Sequence, residues 1–261
     1  MKNKKIAIIG GGSMGASLAR GLVAGGMNPA CIEVANPHLD KLADLAEKGV
    51  AITSDNLAAV KGADIVVVAV KPWILPGVAA ELRDSLDNSR QHVAVIVAGV
   101  SADGLRRMFA RAEGTLPSLT LVMPNTAMSV GKSMTFAVSV EGEPDDIVEL
   151  FAPTGKVMVI EERLLGAATA LASCGIAYAL RYVRAAVEGG VELGFRAADA
   201  QAIVAQTIEG AAALLQRPGA HAEAEIDKVT TPGGITIRGL NAMEANGFTP
   251  AVIAGLKASK S

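Results

Sequence analysis

The segment Lys5-Ile-Ala-Ile-Ile-Gly10-Gly-Gly-Ser-Met-Gly15 decides how this chain folds. The short apolar run Ile6–Ile9 leads into consecutive glycines, and an apolar helical pattern follows from Met14 to Gly25. Near-continuous runs of Ile, Val and Ala suit strands of a parallel sheet that is covered on both faces. The segment therefore predicts a strand, a tight turn and a helix in direct succession.

The glycines of this turn have the spacing G-x-G-x-x-G at Gly10, Gly12 and Gly15. In a strand–turn–helix context the first glycine permits the tight turn, and the second leaves room for a pyrophosphate. The third lets helix and strand pack closely. Free N–H groups at the start of the helix then face the phosphates. We predict that Gly10, Gly12, Ser13, Met14 and Gly15 bind a dinucleotide cofactor.

Strand-like and helical patterns alternate through residues 1–160. The strand-like runs are Ile6–Ile9, Cys31–Ala35, Asp64–Val70, His92–Ala98, Leu119–Met123, Met134–Val140 and Lys156–Ile160, and the helical patterns between them are Met14–Gly25, Leu39–Lys48, Leu75–Ser85 and Ser101–Ala112. Such alternation is typical of α/β folds with right-handed crossovers. We predict a Rossmann-type doubly wound sheet, and residues 1–160 as the dinucleotide-binding domain.

Residues 161–261 contain helical patterns and no strand pattern. These are Arg163–Gly189, Ala197–Gln216, Ala222–Lys228 and Ile235–Lys257. Small residues occur on several faces of the first helix, so other helices can approach it from all sides. About 100 residues are too few to supply those neighbours, so we predict an all-α C-terminal domain that forms a homodimer.

Composition excludes several other classes of function. The 261 residues carry a net charge of −2 at pH 7, which provides no basic surface for nucleic acid or an anionic membrane. The uncharged stretch Leu164–Leu180 is rich in Ala, Gly, Ser and Thr, so it suits a helix buried in protein better than a membrane span.

The N-terminal run and the two cysteines indicate a cytoplasmic protein, and the spacing of the histidines indicates a protein without a metal site. The apolar run Ile6–Ile9 is too short for a signal peptide. Two cysteines, Cys31 and Cys174, form no disulfide framework and suit reduced thiols. The three histidines lack the spacing of metal ligands.

The end of the second predicted strand favours NADPH over NADH. NAD-binding enzymes usually place Asp or Glu there, about 20 residues after the glycines, to bind the ribose hydroxyls. Here the strand ends Val34-Ala35-Asn36-Pro37-His38, and Glu33 lies too early to reach the ribose. The amide of Asn36 can donate a hydrogen bond to a 2′-phosphate, and His38 or Lys41 can add positive charge. NADH stays open, because no arginine is present to clamp the phosphate.

Further motifs follow the glycine turn in a fixed order. They are Ala69-Val-Lys71-Pro72, Ala98-Gly99, Met123-Pro-Asn125-Thr126 and Val229-Thr-Thr-Pro-Gly-Gly-Ile-Thr-Ile237. In this order they resemble the pyrroline-5-carboxylate reductase family over nearly the whole chain. The resemblance implies reduction of the cyclic imine 1-pyrroline-5-carboxylate to L-proline by NADPH or NADH. It also implies a helical domain that interleaves with a partner, often within larger rings of dimers.

The resemblance assigns roles to individual residues. On the nicotinamide side of the cofactor site it places Val70, Lys71, Pro72, Ala98, Gly99 and Asn125. It assigns substrate binding to Thr231, Gly233, Gly234 and Thr236. Backbone N–H groups of this loop take the substrate carboxylate in the family, and the hydroxyl assigned here to Thr236 reaches the ring nitrogen, which makes Thr236 the predicted catalytic residue.

Three other functions compete with this interpretation. A 3-hydroxyacid dehydrogenase needs a lysine on the first long helix of its second domain, and no lysine occurs between Lys156 and Lys228. A reductase of another cyclic imine acid stays open, because Ser173-Cys-Gly-Ile176 departs from the Gly-Ser-Gly-Pro common in the family. A non-catalytic NADP-binding regulator would be expected to have a broken substrate loop, whereas this loop is intact.

Overall fold

The structure, a computed structural model, describes Met1 and residues 4–260. An eight-stranded sheet organises the N-terminal part in the order β3-β2-β1-β4-β5-β6-β7-β8. The strands are β1 (Ile6–Ile9), β2 (Ile32–Ala35), β3 (Ala51–Thr53), β4 (Ile65–Val68), β5 (His92–Val95), β6 (Ser118–Met123), β7 (Ser133–Glu141) and β8 (Gly155–Val159). The first six strands are parallel to one another, in the order of a dinucleotide-binding doubly wound sheet.

Helices cover both faces of this sheet. They are α1 (Ser13–Ala24), α2 (Ala43–Glu47), α3 (Asn56–Val60), α4 (Leu75–Leu82), α5 (Ala102–Phe109) and α6 (Asp145–Phe151). Side chains of β1 alternate between the faces. Ala7 and Ile9 belong to the core under α3, α4 and α5, while Ile6 and Ile8 belong to the core under α1, α2 and α6. Burial on both faces explains the near-continuous aliphatic runs of these strands.

The predicted doubly wound α/β fold is confirmed, with two differences in detail. The short strand β3 and the helices α3 and α6 were not predicted. Strand β7 runs antiparallel to β6 and pairs in parallel with β8, so the last two strands run against the rest of the sheet. The parallel direction suggested by the Val/Ile pattern is therefore wrong for Ser133–Glu141 and Gly155–Val159.

The C-terminal part consists of helices alone among the residues described. A continuous helical segment comprises α7 (Leu165–Ala168), a π-helical turn (Thr169–Cys174) and α8 (Gly175–Glu192). It is followed by α9 (Ala197–Leu215), α10 (Ala222–Val229), α11 (Ile235–Ala245) and α12 (Phe248–Ala258). The single helix predicted over Ile235–Lys257 is wrong, because Gly247 has a φ of +81° and separates α11 from α12.

The chain divides into two compact units, Met1–Ser173 and Cys174–Ser261. This division lies C-terminal to the predicted boundary between residues 160 and 161, and the functional limits 1–160 and 161–261 stay a prediction. In the second unit large apolar side chains remain exposed in the single chain, among them Leu180, Ile203 and Phe248. These helices therefore present an apolar surface that the single chain does not cover.

One helical segment in the described part of the chain, Glu162–Glu192, is long and apolar enough to cross a membrane by length and composition alone. Most of its residues are partly or fully exposed in the single chain. The single chain therefore leaves most of this segment uncovered, and its predicted burial in protein stays a prediction.

A buried histidine makes the stability of the first unit depend on pH. His92, at the start of β5, is 5% exposed and its Nε2 lies 2.8 Å from the Thr120 hydroxyl. Burial lowers the pKa of His92, and nearby Lys4 lowers it further, against an opposing effect of Asp146. The unfolded chain therefore binds the proton more readily than the folded chain, so stability is greatest above about pH 6.5 and falls as the pH drops toward the lowered pKa.

We expect the wild-type protein to lose at most about 1.4 kcal/mol of unfolding free energy for each pH unit below 6.5 through His92. Urea denaturation at pH 7.5, 6.5 and 5.5 measures this loss. Carboxyl groups with lowered pKa values, such as Asp44 hydrogen-bonded to Arg20, titrate below this window. The variant His92→Gln keeps a hydrogen-bonding group for Thr120 and should show a smaller pH dependence. An identical dependence in both proteins would contradict the assignment to His92.

Candidate functional site

The glycine turn between β1 and α1 has the geometry that the sequence predicts. Gly10 has a φ of +99°, and its N–H donates to the carbonyl of Ala35 at 2.9 Å, at the end of β2. A Cβ on Gly15 would lie 2.0 Å from the carbonyl oxygen of Gly10. Gly10 therefore requires a left-handed backbone, and Gly15 permits the close contact between turn and helix.

Gly12 differs from both of these glycines. It is the N-cap of α1, its φ of −75° is accessible to any residue, and a Cβ there would meet no atom within 4 Å. No side chain caps this helix, so the first N–H groups of α1 stay available to an anion. The space above Gly12 and the free N–H groups together suit a pyrophosphate.

A cavity of about 560 Å³ opens beside this turn at the carboxyl ends of the strands, and we call it the strand-end cavity. Ligands of open α/β sheets bind at this edge, where the strand order reverses. The predicted cofactor residues that line it are Gly10, Gly12, Ser13, Met14, Asn36, Val70, Lys71 and Ala98. The structure therefore brings together residues from the ends of β1, β2, β4 and β5.

Four predicted cofactor residues do not line the strand-end cavity. They are Gly15, Pro72, Gly99 and Asn125. Gly15 is buried in α1, and Pro72 and Gly99 are exposed next to residues that do line it. A direct contact of these residues with a cofactor stays a prediction.

Asn125 is 5% exposed and its amide is used within the protein. Its Nδ2 donates to the carbonyl of Ala172 at 3.1 Å, and its Oδ1 accepts from the N–H of Ala127 at 3.1 Å. Ala172 belongs to the π-helical turn, so Asn125 joins this turn to the end of β6. The neighbouring Pro124 lines the strand-end cavity. Asn125 therefore supports the cavity wall.

Sequence reasoning missed several lining residues. They are Ser54, Asn56, Ile74, Val78, Met123 and Pro124, together with backbone neighbours of the predicted residues. Ser54 and Asn56 lie directly after β3 and at the start of α3, and neither of these elements was predicted. Met123 and Pro124 were quoted as part of a motif, and only their neighbour Asn125 was assigned to the cofactor.

The predicted substrate loop forms a turn ahead of α11 in the second unit. The N–H of Gly234 donates to the carbonyl of Thr231 at 2.9 Å, and Gly233 has a φ of +68°. Proline followed by a residue of positive φ is typical of a type II turn. A Cβ on Gly234 would lie 2.6 Å from the Thr231 hydroxyl oxygen, which can rotate away, and 3.0 Å from the Thr231 carbonyl oxygen, which cannot, so a side chain there would be crowded.

The start of α11 provides groups that suit an anion. Gly234 is its N-cap and no side chain caps the helix, so its first N–H groups stay available. Thr236 lies in the first turn of this helix and is exposed. Thr231, Gly233, Gly234 and Thr236 thus come together at one helix end.

The described residues contain no group of three His, Cys, Asp or Glu side chains close enough to hold a metal ion. Among the described residues that line the strand-end cavity, Lys71 is the single charged side chain. The cavity is therefore mostly apolar with a few polar groups, as is usual for small-molecule sites.

Comparison with known proteins identifies a matching family model for each of the two parts of the chain. Residues 162–261 match a family model described as pyrroline-5-carboxylate reductase dimerisation, and residues 5–101 match one described as NADP oxidoreductase coenzyme F420-dependent. Pyrroline-5-carboxylate reductase 2 of Dictyostelium discoideum is 36% identical over 99% of this chain and 93% of its own length. The Escherichia coli pyrroline-5-carboxylate reductase is 34% identical over 96% of this chain and 93% of its own length.

Solved structures agree with these relatives. The pyrroline-5-carboxylate reductase of Coxiella burnetii has a TM-score of 0.89 at 29% identity, covering 98% of this chain and 96% of its own. The Plasmodium falciparum pyrroline carboxylate reductase with NADP bound has a TM-score of 0.86 at 25% identity, covering 99% of this chain and 96% of its own. With nearly full-length relatives above 30% identity, the chain belongs to the pyrroline-5-carboxylate reductase family.

Proposed function

We propose that this protein reduces 1-pyrroline-5-carboxylate to L-proline with NADPH, the last step of proline biosynthesis, with NADH as an alternative cofactor. The observation that carries the proposal is the coexistence of an intact glycine turn and an intact Thr-Thr-Pro-Gly-Gly-Ile-Thr loop in a chain 36% identical to a curated reductase of this name. Residues 1–160 would bind the cofactor, and residues 161–261 would bind the substrate and form the dimer.

The strand-end cavity fits a dinucleotide by its shape and by its donors. The empty space above Gly12 would admit a pyrophosphate, and the N–H groups of Ser13 and Met14 at the start of α1 would donate to it. Val70, Lys71 and Ala98 would hold the nicotinamide end, and Asn36 the adenosine ribose. When bound, the reduced nicotinamide supplies a hydride to the substrate.

The loop before α11 fits the carboxylate of a small imino acid. In the turn Thr231–Gly234, the two glycines would let backbone N–H groups approach a ligand without an intervening side chain. The uncapped start of α11 adds a favourable dipole contribution of about 0.3–1 kcal/mol. The hydroxyl of Thr236, in the first turn of the same helix, would bind the ring nitrogen.

The proposed reaction requires little acid–base chemistry from the protein. A protonated imine already accepts hydride, so the residues have to hold the imine carbon at near-attack distance and exclude water. The N–H of Gly233 and the free N–H groups at the start of α11, next to Gly234, would fix the carboxylate, and Thr236 would fix the nitrogen and its proton. This requirement explains why a site without a nucleophile or a carboxylate pair suffices.

We also propose a homodimer formed through the helical domain, assembled into larger rings in the cell, and a cytoplasmic location without nucleic-acid or membrane partners. The match of residues 162–261 to a dimerisation model supports the dimer. The apolar side chains that α8, α9 and α12 expose in the single chain support it on physical grounds.

A reductase of another cyclic imine acid is the second candidate. The position of Ser173 near the strand-end cavity supports this candidate. The departure Ser173-Cys-Gly-Ile176 begins in the π-helical turn. The Ser173 hydroxyl donates to the carbonyl of Pro124 at 3.5 Å, and Pro124 lines the strand-end cavity. A change in this segment therefore lies close to a wall of the cofactor site.

The experiment follows the absorbance of NADPH with purified protein and either the five-membered or the six-membered imine acid. We expect rapid oxidation of NADPH with 1-pyrroline-5-carboxylate and slower oxidation with the six-membered analogue. The reverse order would establish the second candidate. Tight binding of NADPH without oxidation in either mixture would indicate a non-catalytic regulator.

A further inference from the structure

The end of the strand-end cavity next to β3 contains three uncharged polar side chains. Asn36 follows β2, Ser54 follows β3, and Asn56 begins α3; all three line the cavity. The last paired residues of the two strands are Ala35 and Thr53, and the N–H of Asn36 donates to the carbonyl of Thr53 at 2.9 Å. Asn36 and Ser54 therefore leave the same sheet edge side by side. In this fold the position after β2 meets the ribose that distinguishes NADPH from NADH.

The charged side chain of the cavity is too far away to neutralise a phosphate at this end. Lys71 follows β4, and the strands β2 and β1 lie between β3 and β4. Three strand spacings of about 4.8 Å place the ends of β3 and β4 about 14 Å apart. The 2′-phosphate of NADPH would therefore be held by hydrogen bonds near Ser54 rather than by an ion pair with Lys71.

Neighbouring protein groups already engage one N–H of each asparagine amide. The Nδ2 of Asn36 donates to the carbonyl of His38 at 2.9 Å, and the Nδ2 of Asn56 donates to Oε2 of Glu81 at 3.0 Å. Asp55, between Ser54 and Asn56, accepts from the N–H groups of Leu57 and Ala58 at the start of α3. The Asp55 carboxylate is thus occupied in capping that helix.

The Ser54 hydroxyl is a further polar group at this end, and no neighbouring protein group among the described residues engages it. Ser54 is exposed, and its hydroxyl makes no hydrogen bond within the described part of the chain. A hydroxyl donates one hydrogen bond and accepts others, so it can donate to a phosphate oxygen or accept from a ribose hydroxyl. Serine at this position is therefore compatible with either cofactor.

We propose that Ser54 is the residue that sets the preference between NADPH and NADH in this protein, by donating a hydrogen bond to the 2′-phosphate. The inference depends on the proposed function only for the identity of the cofactor. Since a neutral hydroxyl stands where an arginine is usual, the preference for NADPH is modest and Ser54→Asp reverses it.

Fluorescence titration of NADPH and of NADH in the absence of the imine tests this proposal directly. For Ser54→Ala we expect the Kd of NADPH to rise about tenfold, the loss of one hydrogen bond to a charged group, while the Kd of NADH changes by less than about twofold. For Ser54→Asp we expect the Kd of NADPH to rise about a hundredfold because a carboxylate then faces the phosphate.

Ser85→Asp is the matched control. Ser85 is exposed in a groove with Lys61 and Arg90, which precede β4 and β5 and so lie at the opposite edge of the sheet. This variant should bind both cofactors as the wild-type protein does. An equal loss of NADPH and NADH binding in Ser54→Ala would overturn the proposal, and so would unchanged binding of both.

The readout separates this proposal from the proposed function. Selective loss of NADPH binding in the Ser54 variants, with no turnover of the imine by the wild type, would support the role of Ser54 and refute the reductase assignment. Rapid turnover of the imine, with a ratio of NADPH to NADH affinity that is the same in the wild type and the Ser54 variants, would support the reductase assignment and refute the role of Ser54.

Discussion

Replacement of Gly12 by valine should abolish cofactor binding and leave the fold intact. The backbone of Gly12 has a φ of −75°, and a Cβ there meets no protein atom within 4 Å, so the folded chain accommodates the side chain. The valine methyl groups would instead occupy the space proposed for the pyrophosphate. We expect the Kd of NADPH to rise at least about a hundredfold, equivalent to about 2.7 kcal/mol. Titration calorimetry measures this affinity, and thermal unfolding checks the fold.

Gly15→Ala provides the opposite result and serves as the comparison. Its Cβ would lie 2.0 Å from the carbonyl oxygen of Gly10, a contact with backbone that no side-chain rotation relieves. We expect this variant to unfold at a clearly lower temperature or to accumulate as insoluble protein. A Gly12→Val protein that binds NADPH normally would show that the pyrophosphate does not lie over this turn.

Replacement of Thr236 by valine should reduce turnover far more than cofactor binding. The side chain keeps its shape while losing the hydroxyl that we propose binds the ring nitrogen. We expect kcat/KM for the imine to fall about a hundredfold, because the ring nitrogen loses its proposed hydrogen-bond partner and the imine carbon is no longer held at near-attack distance. The Kd of NADPH, measured without the imine, should stay within about twofold of the wild-type value.

Thr236→Ser is the matched control, because it restores the hydroxyl without the methyl group. It should recover most of the activity that Thr236→Val loses. Equal losses of turnover and NADPH affinity in Thr236→Val would assign this threonine a structural role in α11. Full activity in Thr236→Val would remove it from the reaction altogether.

The glycine turn could be predicted from the sequence because all of the residues that determine its geometry are close together in the chain. Gly10, Gly12 and Gly15 lie within one turn, and the strand before them and the helix after them have strong apolar patterns. The same holds for the turn before α11, where Pro232 and Gly233 specify a type II geometry by themselves. Local backbone requirements of this kind can be inferred without any knowledge of tertiary contacts.

Features that depend on tertiary pairing escaped prediction. The strand β3 has three partly or fully exposed residues, Ala51–Thr53, and it exists because it pairs with β2 at the edge of the sheet. Missing it also meant missing Ser54, which follows it. The direction of β7 is likewise set by its pairing with β6, and an apolar run of Val and Ala carries no information about direction.

The hydrogen bonds of Asn125 have a consequence for how sequences of this kind can diverge. Its amide binds Ala172 in the π-helical turn while its neighbour Pro124 forms part of the strand-end cavity. A substitution that shifts the backbone at Ala172 or Ser173 would therefore also shift the cavity wall, and a change in the wall would shift the turn. Residues 123–126 and 172–173 should accordingly vary together through evolution, as one inherited unit, although they lie far apart in the sequence.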